Sequence, residues 1–412
     1  MQVEFGEGRQ LMGYVSHIEC WQTGERVDPL SAPDYQSGDF AEVRYDLEAI
    51  RREIDRDALS RGPATMWRYS DLLPLADPAM AVTLGEGWTP LLPASNLGRE
   101  IGVRDLYLKD EGQNPSGTFK DRGASMSVSR LKELGVSTVV HNSSGNAGGS
   151  WGLYAARAGL RCVNLLPHDV LPASLMQSEL SGAETFVLDG DWKDAGAIVA
   201  TSVERNGWFD VRTLKEPYRL EGKKTMGYEI AEQLGWVLPD AIVYPTGGGI
   251  GAIAIYKGLR ELQQLGWVAP GPLPKLIVTQ FAGCAPIVRA FENDADAAVL
   301  WEDLDVPPGG LKSVRPPGDK KVLQLIRETN GIAVSVGTDE AIGMVGMVTR
   351  LEGVFPCPES GTAVAGLKTA LARGTVLPDE RVVIMCTGSG LKSIPVLPRR
   401  NAARVEFGDV LT

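Results

Sequence analysis

The feature that most constrains the fold is a set of short, continuously apolar runs separated by helix-like segments. The clearest runs are residues 241–244, 275–280 and 381–386, and each is bounded by turn-forming residues. Strands that are buried on both faces of a parallel sheet have this pattern rather than a strict polar–apolar alternation. Because the β–α alternation recurs from about residue 105 onwards, we predict an α/β protein with a mostly parallel sheet.

The composition is that of an ordinary globular protein and argues against several classes of partner. Hydrophobic residues make up 43% of the 412 residues, which is enough for a large core in two or three domains. The formal charge of −11, without a dense basic cluster, argues against nucleic-acid binding. No apolar run approaches the roughly 20 residues that span a bilayer, and the acidic start does not resemble a signal peptide. We therefore expect a cytoplasmic protein without a membrane partner.

Cysteine and histidine usage gives no sign of a disulfide framework or of a metal site. The five cysteines are scattered and form no C-x-x-C pair, and the three histidines are widely separated. Both patterns are typical of a protein with reduced thiols and without a metal centre. We therefore predict no bound metal.

Two turns that follow predicted strands carry residues suited to chemistry, and ligands of open α/β sheets bind at such turns. In residues 114–123, Lys120 begins a helix, where its charge opposes the helix dipole. This position hints at a chemical role, but the turn taken alone favours a solvated surface lysine. In residues 141–150, the hydroxyls of Ser143 and Ser144 precede Asn146 at another helix start. This loop predicts a cradle for a carboxylate or phosphate, with an elaborate helix cap as the alternative.

A third turn, residues 245–251, follows the buried run 241–244 and contains clustered glycines that allow the backbone to wrap an anion. The segment 249–254 also fits a loose dinucleotide fingerprint, but the next strand ends in Gln280 where a ribose-binding acid is required. A P-loop motif is absent from the sequence as well. The turn is therefore better interpreted as a cradle for a single phosphate.

A monophosphate cradle, a lysine and an asparagine loop together indicate pyridoxal 5′-phosphate, whose phosphate needs a cradle and whose aldehyde needs an amine. The segment 386–392 follows the last predicted strand and supplies Thr387, whose hydroxyl could meet the pyridine nitrogen.

Four segments in order, residues 84–91, 114–123, 143–150 and 218–225, make the chain similar to the tryptophan-synthase-β fold type (fold type II) of pyridoxal-phosphate enzymes. Within that fold type, the chain resembles threonine synthases from roughly residue 67 to 392. The resemblance implies two open, mostly parallel sheets with flanking helices, and a homodimer.

The resemblance also assigns residues to the site. Lys120 would carry the cofactor covalently and act as the base, Asn146 would lie beside the ring oxygen, and Thr387 would meet the pyridine nitrogen. The implied cofactor-binding residues are Lys120, Asn146, Gly247, Gly248, Gly249, Gly251 and Thr387. The predicted substrate-binding residues are Ser143, Ser144, Asn146, Lys215 and Arg219. Of these, Arg219 and Lys215 could recognise an anionic leaving group, and a salt-bridged surface role is the alternative for Lys215.

The same resemblance divides the chain into domains. Residues 1–75 form an N-terminal extension, 76–121 and 231–396 a large cofactor-binding domain, 122–230 a small mobile domain, and 397–412 a C-terminal tail. The extension is predicted to contain a helix-like segment over 46–59 and to be a degenerate form of the family's cysteine-bearing ribbon. Since Cys20 is the only cysteine there, and one thiolate cannot hold a tetrahedral ion, we predict no zinc. The Pro/Gly-rich residues 301–320 are predicted to form a long loop near a functional face.

The activity that the resemblance implies is the conversion of O-phosphohomoserine and water to threonine and phosphate, by γ-elimination and β-addition. Three departures keep an alternative open: Ala147 replaces a threonine that contacts the substrate phosphate, Thr213 and Leu214 replace an Asn–Ser pair, and the cradle is glycine-only. The alternative is β-elimination or β-replacement on O-phosphoserine, serine or threonine, as in a dehydratase or a cysteate synthase. A non-catalytic binding protein is a third, more distant interpretation.

Overall fold

The computed structural model describes residues 13–28, 39–190 and 192–398, so the predicted C-terminal tail beyond residue 398 lies outside the described residues. The strands are β1 (Val15–Cys20), β2 (Ala41–Tyr45), β3 (Leu91–Pro93), β4 (Asp105–Asp110), β5 (Thr138–Asn142), β6 (Arg161–Pro167), β7 (Glu184–Leu188), β8 (Phe209–Asp210), β9 (Ala241–Pro245), β10 (Lys275–Phe281), β11 (Ile332–Val336) and β12 (Arg381–Cys386). The α-helices are α1 (Leu47–Glu53), α2 (Ser95–Ile101), α3 (Lys120–Glu133), α4 (Asn146–Ala158), α5 (Pro172–Leu180), α6 (Ala195–Asn206), α7 (Tyr218–Gln233), α8 (Ile250–Gln264), α9 (Pro286–Glu292), α10 (Asp319–Glu328), α11 (Thr338–Glu352) and α12 (Pro358–Ala372).

The larger of the two main sheets has six described strands in the order β11-β10-β9-β12-β4-β3, and only β3 runs antiparallel to its neighbour. Its central strands are buried on both faces. On β9, Ile242 and Tyr244 pack in the core that includes residues of α8, whereas Val243 packs in the core that includes residues of α12. This two-sided burial explains the continuous apolar runs, and the three strands predicted from them are confirmed.

The second main sheet has four described strands, all parallel, in the order β7-β6-β5-β8. Helices α4 and α6 pack on this sheet, and its strands β5, β6 and β7 continue the β–α alternation predicted from about residue 105 onwards. The predicted fold class, two open and mostly parallel sheets with flanking helices, is therefore confirmed. The proposed division into a large and a small domain, with boundaries near residues 121 and 230, stays a prediction.

The N-terminal region forms an antiparallel ribbon of β1 and β2, and its apolar residues share a core with α3. The single helix predicted over 46–59 is wrong, because the chain forms α1 and then a separate 3-10 helix, Arg56–Arg61. The Asp46 side chain accepts a hydrogen bond from the first turn of α1, Ile54 is extended, and Asp55 caps the second helix in the same way. Two N-capping aspartates nine residues apart therefore start two helices.

The first strand of the ribbon, β1, ends at Cys20, which is buried and carries a free thiol. Within residues 13–28, 39–190 and 192–398, no group of three or more His, Cys, Asp or Glu side chains could hold a metal ion. In the same ranges, no helix has the length and apolar character that crossing a membrane requires. The absence of zinc stays a prediction.

The Pro/Gly-rich segment 301–320 is an extended loop up to the start of α10 at Asp319, as predicted. Within it, the backbone N–H of Trp301 donates to the Val314 carbonyl at 2.9 Å, and the N–H of Gly310 donates to the Glu359 carboxylate at the start of α12. These bonds hold the loop against the carboxyl end of the larger sheet, beside Lys120.

Candidate active site

Lys120 is placed by the pairing of two loops at the carboxyl end of the larger sheet. The backbone N–H of Phe119 donates to the Thr387 carbonyl at 3.2 Å, and the N–H of Ser389 donates to the Gly117 carbonyl at 2.9 Å. The loop that precedes α3 is therefore attached to the segment that follows β12. This pairing brings Lys120 and Thr387, which are far apart in the sequence, to one cavity.

All seven residues that the resemblance assigns to the cofactor line this narrow cavity. The structure thus brings together four loops that follow the four strands β4, β5, β9 and β12, which is the arrangement expected for a ligand site in an open α/β sheet. The lining residues from the prediction are Lys120, Asn146, Gly247, Gly248, Gly249, Gly251 and Thr387.

The glycine turn leaves no room for side chains. Gly249 has φ +91°, a left-handed conformation that favours glycine. A Cβ on Gly251 would lie 1.7 Å from the Tyr244 hydroxyl, and one on Gly247 would lie 2.9 Å from the Gly310 carbonyl oxygen. The turn leads directly into the 15-residue helix α8, whose free N–H groups and dipole favour an anion. The cradle can therefore hold a phosphate through its backbone.

The amine of Lys120 is suited to proton transfer and to attack on a carbonyl. Burial, and secondarily the positive charge of Arg219, lowers the pKa of Lys120 to about 8, although the negative charge of Glu359 opposes the shift. The ammonium lies 4.4 Å from the centre of the Phe119 ring, and no described residue accepts a hydrogen bond from it. An amine with such a pKa is partly neutral near physiological pH and can act as a base or a nucleophile.

The asparagine loop caps a helix and also lines the site, so its role as an anion cradle stays a prediction. The Ser143 hydroxyl oxygen accepts hydrogen bonds from the N–H groups of Gly145 and Gly148, each at 3.1 Å, so it does cap the start of α4. Ser143 and Ser144 also line the cleft beyond the cofactor cavity, whereas Asn146 lines the cavity itself. The loop therefore spans both parts of the site.

The cavity opens into a wider cleft of about 480 Å³, between the loop 310–317 and the segment 212–219. Its described lining contains no aspartate or glutamate but six cationic side chains from three segments of the chain. These cations are Lys120, Arg212, Lys215, Arg219, Lys312 and Arg315. A cleft lined by one sign of charge concentrates ligands of the opposite sign.

Arg219 is held rigidly at the wall of the cleft. Its guanidinium lies 5.1 Å from the centre of the Trp151 ring and donates to the Val211 carbonyl and, at 3.3 Å, to the Thr213 hydroxyl. Thr213 lines the cleft, but Leu214 is 2% exposed and packs in the core instead. Of the two residues that replace the relatives' Asn–Ser pair, Thr213 therefore lines the cleft and Leu214 does not.

The other cations of the cleft differ in how far they are already neutralised. Arg212 makes a close ion pair with Asp210, and Lys312 makes one with Asp169, which follows β6 of the smaller sheet. Arg315 is exposed and has no hydrogen bond or ion pair to any described residue. Sequence reasoning missed Arg212, Lys312 and Arg315, although the unusual Pro/Gly content of residues 301–320 had indicated the loop that carries two of them.

A further missed group lies where α12 begins. Glu359 is buried in the cofactor cavity and accepts a hydrogen bond from the backbone N–H of Gly310. This bond holds the loop 310–317, which carries Lys312 and Arg315. The Cys357 sulfur lies 3.8 Å from the Thr387 hydroxyl, and the backbone N–H of Thr387 donates to the Ser360 hydroxyl at 3.0 Å. Burial raises the pKa of the Cys357 thiol, so it is a neutral neighbour of Thr387. Nothing in residues 357–360 taken alone indicates this proximity.

Comparisons with known proteins agree with this geometry. The family model for pyridoxal-phosphate dependent enzymes matches residues 82–388. Threonine synthase of Methanocaldococcus jannaschii is 36% identical over 87% of this chain and 88% of its own length. Threonine synthase of Methanosarcina acetivorans is 36% identical over 91% of this chain and 92% of its own. The processed form of threonine deaminase isoform 2 from Solanum lycopersicum shares the fold, with a TM-score of 0.64 over 94% of this chain and 98% of that chain at 17% identity.

The site fits the cofactor of this family. The glycine cradle can take its phosphate, the amine of Lys120 can take its aldehyde, and the Thr387 hydroxyl lies in the same cavity. The resemblance inferred from four sequence segments is confirmed by matches that cover most of the chain. The chain therefore belongs to the pyridoxal-phosphate-dependent enzymes, and it is a lyase that uses pyridoxal 5′-phosphate.

Proposed function

We propose that this enzyme is a threonine synthase, which converts O-phosphohomoserine and water to threonine and phosphate. The observation that carries the proposal is the cleft next to Lys120, with its six cationic side chains and no carboxylate in its described lining. A phosphate ester carries about two negative charges at neutral pH, and the substrate's carboxylate adds another. An unphosphorylated amino acid would need far less positive charge. On the resemblance to threonine synthases we also propose a cytoplasmic homodimer.

Residues of the narrow cavity hold the cofactor in this proposal. The four glycines and the start of α8 would hold its phosphate, Lys120 would be its point of covalent attachment, Asn146 would lie beside its ring oxygen, and the Thr387 hydroxyl would meet its ring nitrogen. When bound, pyridoxal phosphate supplies an electron sink that stabilises negative charge developing at the carbons of the substrate.

Lys120 moves the protons of the reaction. Because its pKa is about 8, about a tenth of the amine is neutral at pH 7 and can accept a proton from the substrate's α-carbon. The amine can also accept the β-proton that must leave when phosphate departs from the γ-carbon. It can return protons to the γ-carbon and, as water adds its hydroxyl at the β-carbon, to the α-carbon, while the proton that the water loses balances the departing phosphate. A lysine with an ordinary pKa would be almost fully protonated and a poor base at the same pH.

The cleft binds the anionic groups of the substrate. Arg219, already oriented by Trp151 and the Val211 carbonyl, offers a fixed guanidinium fork that can grip a phosphate with two hydrogen bonds. Lys215 lies on the same wall of the cleft and Arg315 lies on the loop 310–317. These cations make the contact to the substrate phosphate for which relatives use a threonine at the position of Ala147. Ser143 and Ser144, together with Asn146, provide hydroxyl and amide groups for the substrate's carboxylate.

The test compares the holoenzyme with Arg219→Ala and Lys215→Ala on O-phosphohomoserine, O-phosphoserine and threonine. For Arg219→Ala we expect kcat/KM with O-phosphohomoserine to fall by roughly 30- to 1,000-fold, because a bidentate contact to a buried anion is lost. Lys215→Ala should have a smaller effect. The visible absorption of the bound cofactor should persist in both variants, and the exposed Arg205→Ala on α6 is the control.

The decisive outcome concerns the wild-type enzyme. Formation of threonine and phosphate from O-phosphohomoserine supports the proposal. A wild type that forms no threonine, and instead turns O-phosphoserine, serine or threonine into a 2-oxo acid or a β-substituted alanine, would refute it in favour of β-elimination or β-replacement.

A further inference from the structure

We propose that the hydroxyl of Tyr244 is a cofactor-binding group that donates a hydrogen bond to the phosphate of pyridoxal phosphate. The proposal concerns the family's cofactor and is independent of which amino acid is the substrate. It adds a side-chain donor to a cradle whose sequence motif consists of glycines alone.

The Tyr244 ring is fixed by its position near the end of β9. The side chain is 2% exposed and packs edge-to-face with Phe119, with ring centres 6.1 Å apart and an interplanar angle of 88°. Phe119 immediately precedes Lys120, and both residues line the cavity together with Tyr244. A ring packed in this way holds its hydroxyl at one place, because a close-packed interior leaves little freedom to move.

The hydroxyl of Tyr244 has no hydrogen-bond partner in the described part of the chain. Other buried tyrosines do have one: Tyr69 donates to Glu232 at 2.6 Å, Tyr154 to Glu86 at 2.8 Å, and Tyr256 to the Pro274 carbonyl at 2.8 Å. Few buried hydroxyls in native proteins lack a hydrogen bond, because leaving one unpaired costs free energy of folding. The unpaired donor of Tyr244 therefore calls for an acceptor that comes from outside the protein.

The hydroxyl lies over the cradle. A Cβ on Gly251, in the first turn of α8, would lie 1.7 Å from it, so the absence of a side chain at residue 251 is what admits the hydroxyl. Tyr244 lines the same cavity as Gly247, Gly248 and Gly249. The phenol and the N–H groups at the start of α8 are thus donors facing one space.

The chemistry of the two groups is complementary. Burial, followed by the negative charge of Glu111, raises the pKa of the Tyr244 phenol well above its ordinary value, so the group stays a donor throughout the working pH range. A phosphate near its dianionic form offers acceptors and no donors. The glycine at position 251 and the tyrosine at position 244 therefore act together as one phosphate-binding unit.

The experiment replaces Tyr244 with phenylalanine, which keeps the ring and its packing against Phe119. We expect the dissociation constant of pyridoxal phosphate, measured by titrating the full-length apoenzyme and following the visible absorption, to rise by roughly 10- to 150-fold. The affinity for pyridoxal, which lacks the phosphate, should be unchanged. The melting temperature of the apoenzyme should stay the same or rise, whereas that of the holoenzyme at a fixed cofactor concentration should fall.

Tyr256→Phe is the matched control, because its hydroxyl bonds to the Pro274 carbonyl away from the cradle. It should lower the melting temperatures of apoenzyme and holoenzyme together and leave the affinity for pyridoxal phosphate unchanged. The proposal is overturned if Tyr244→Phe leaves that affinity unchanged, or if it weakens pyridoxal and pyridoxal phosphate by the same factor. For a variant that does not fold, phosphorus-31 NMR of the wild-type holoenzyme decides: a bound-cofactor signal insensitive to hydrogen–deuterium exchange of the phenol would also overturn it.

Discussion

The two halves of the site are the cofactor cavity and the cationic cleft, and they differ in whether backbone or side chains line them. The cavity is lined at its cradle by backbone, since Gly247 and Gly251 leave no room for side chains and the turn leads into the start of α8. The cleft is lined by long charged side chains that come from three separate segments, among them Arg219 and Arg315. A backbone site needs a contiguous run of small residues, whereas a side-chain site needs only that loops meet in space.

The difference separates what the family resemblance indicated from what only the structure revealed. The cavity contains every residue that the family resemblance assigns to the cofactor. The cleft lacks a hydroxyl at Ala147, and Leu214 packs in the core, but the loop 310–317 contributes Lys312 and Arg315. Cofactor binding is thus predicted to follow the family closely, and substrate binding to rest on cations that include those of the loop 310–317.

The largest expected effect comes from the residue that belongs to both halves. Lys120→Ala should abolish the visible absorption of covalently attached cofactor and lower turnover by more than about 1,000-fold, because attachment and proton transfer are lost together. The measurement is absorption spectroscopy and steady-state kinetics of the purified variant. Lys132→Ala, at the exposed end of the same helix, should behave like the wild type. A Lys120→Ala protein that keeps the absorption band would show that the attachment point lies elsewhere.

An intermediate effect is expected from the cleft alone. Arg315→Ala should lower kcat/KM for O-phosphohomoserine by about 10-fold, since an exposed cation without a described partner is removed from the path of an anion. The dissociation constant of the cofactor should not change. Arg315→Lys keeps the charge and should retain most of the activity at low salt. Equal losses on phosphorylated and unphosphorylated substrates would contradict the assignment, because they would indicate a structural effect of the loop.

The smallest effect tests the electrostatic connection between the two halves. The neutral amine of Lys120 increases as pH rises through its pKa of about 8, so the rate of cofactor attachment to the apoenzyme should increase over that range. The positive charge of Arg219 lowers this pKa, so the midpoint should move to higher pH in Arg219→Ala. Stopped-flow absorbance across pH 6–10 measures both midpoints. Identical midpoints would mean that burial alone sets the pKa and that the halves are electrostatically independent.

Local signals account for what sequence reasoning predicted well. The apolar runs of β9, β10 and β12 are continuous because alternate residues enter two different cores. Burial on both faces requires consecutive apolar residues, and these can be recognised in the sequence. The helix over 46–59 was predicted wrongly because its two halves share a charged, helix-like composition. One continuous helix does not form, because the side chains of Asp46 and Asp55 each cap a separate helix and Ile54 between the two helices is extended.

By itself, then, the sequence determined the α/β fold, the glycine cradle, the lysine and the class of cofactor, because each depends on residues that are adjacent along the chain. Only the tertiary structure decided that Thr387 lies beside Lys120, that Glu359 fastens the loop at Gly310, and that the Tyr244 hydroxyl covers Gly251. These contacts join residues brought together by parallel strands whose carboxyl ends meet at one edge of a sheet. Proximity of that kind is a property of the packed chain, and no short stretch of sequence contains it.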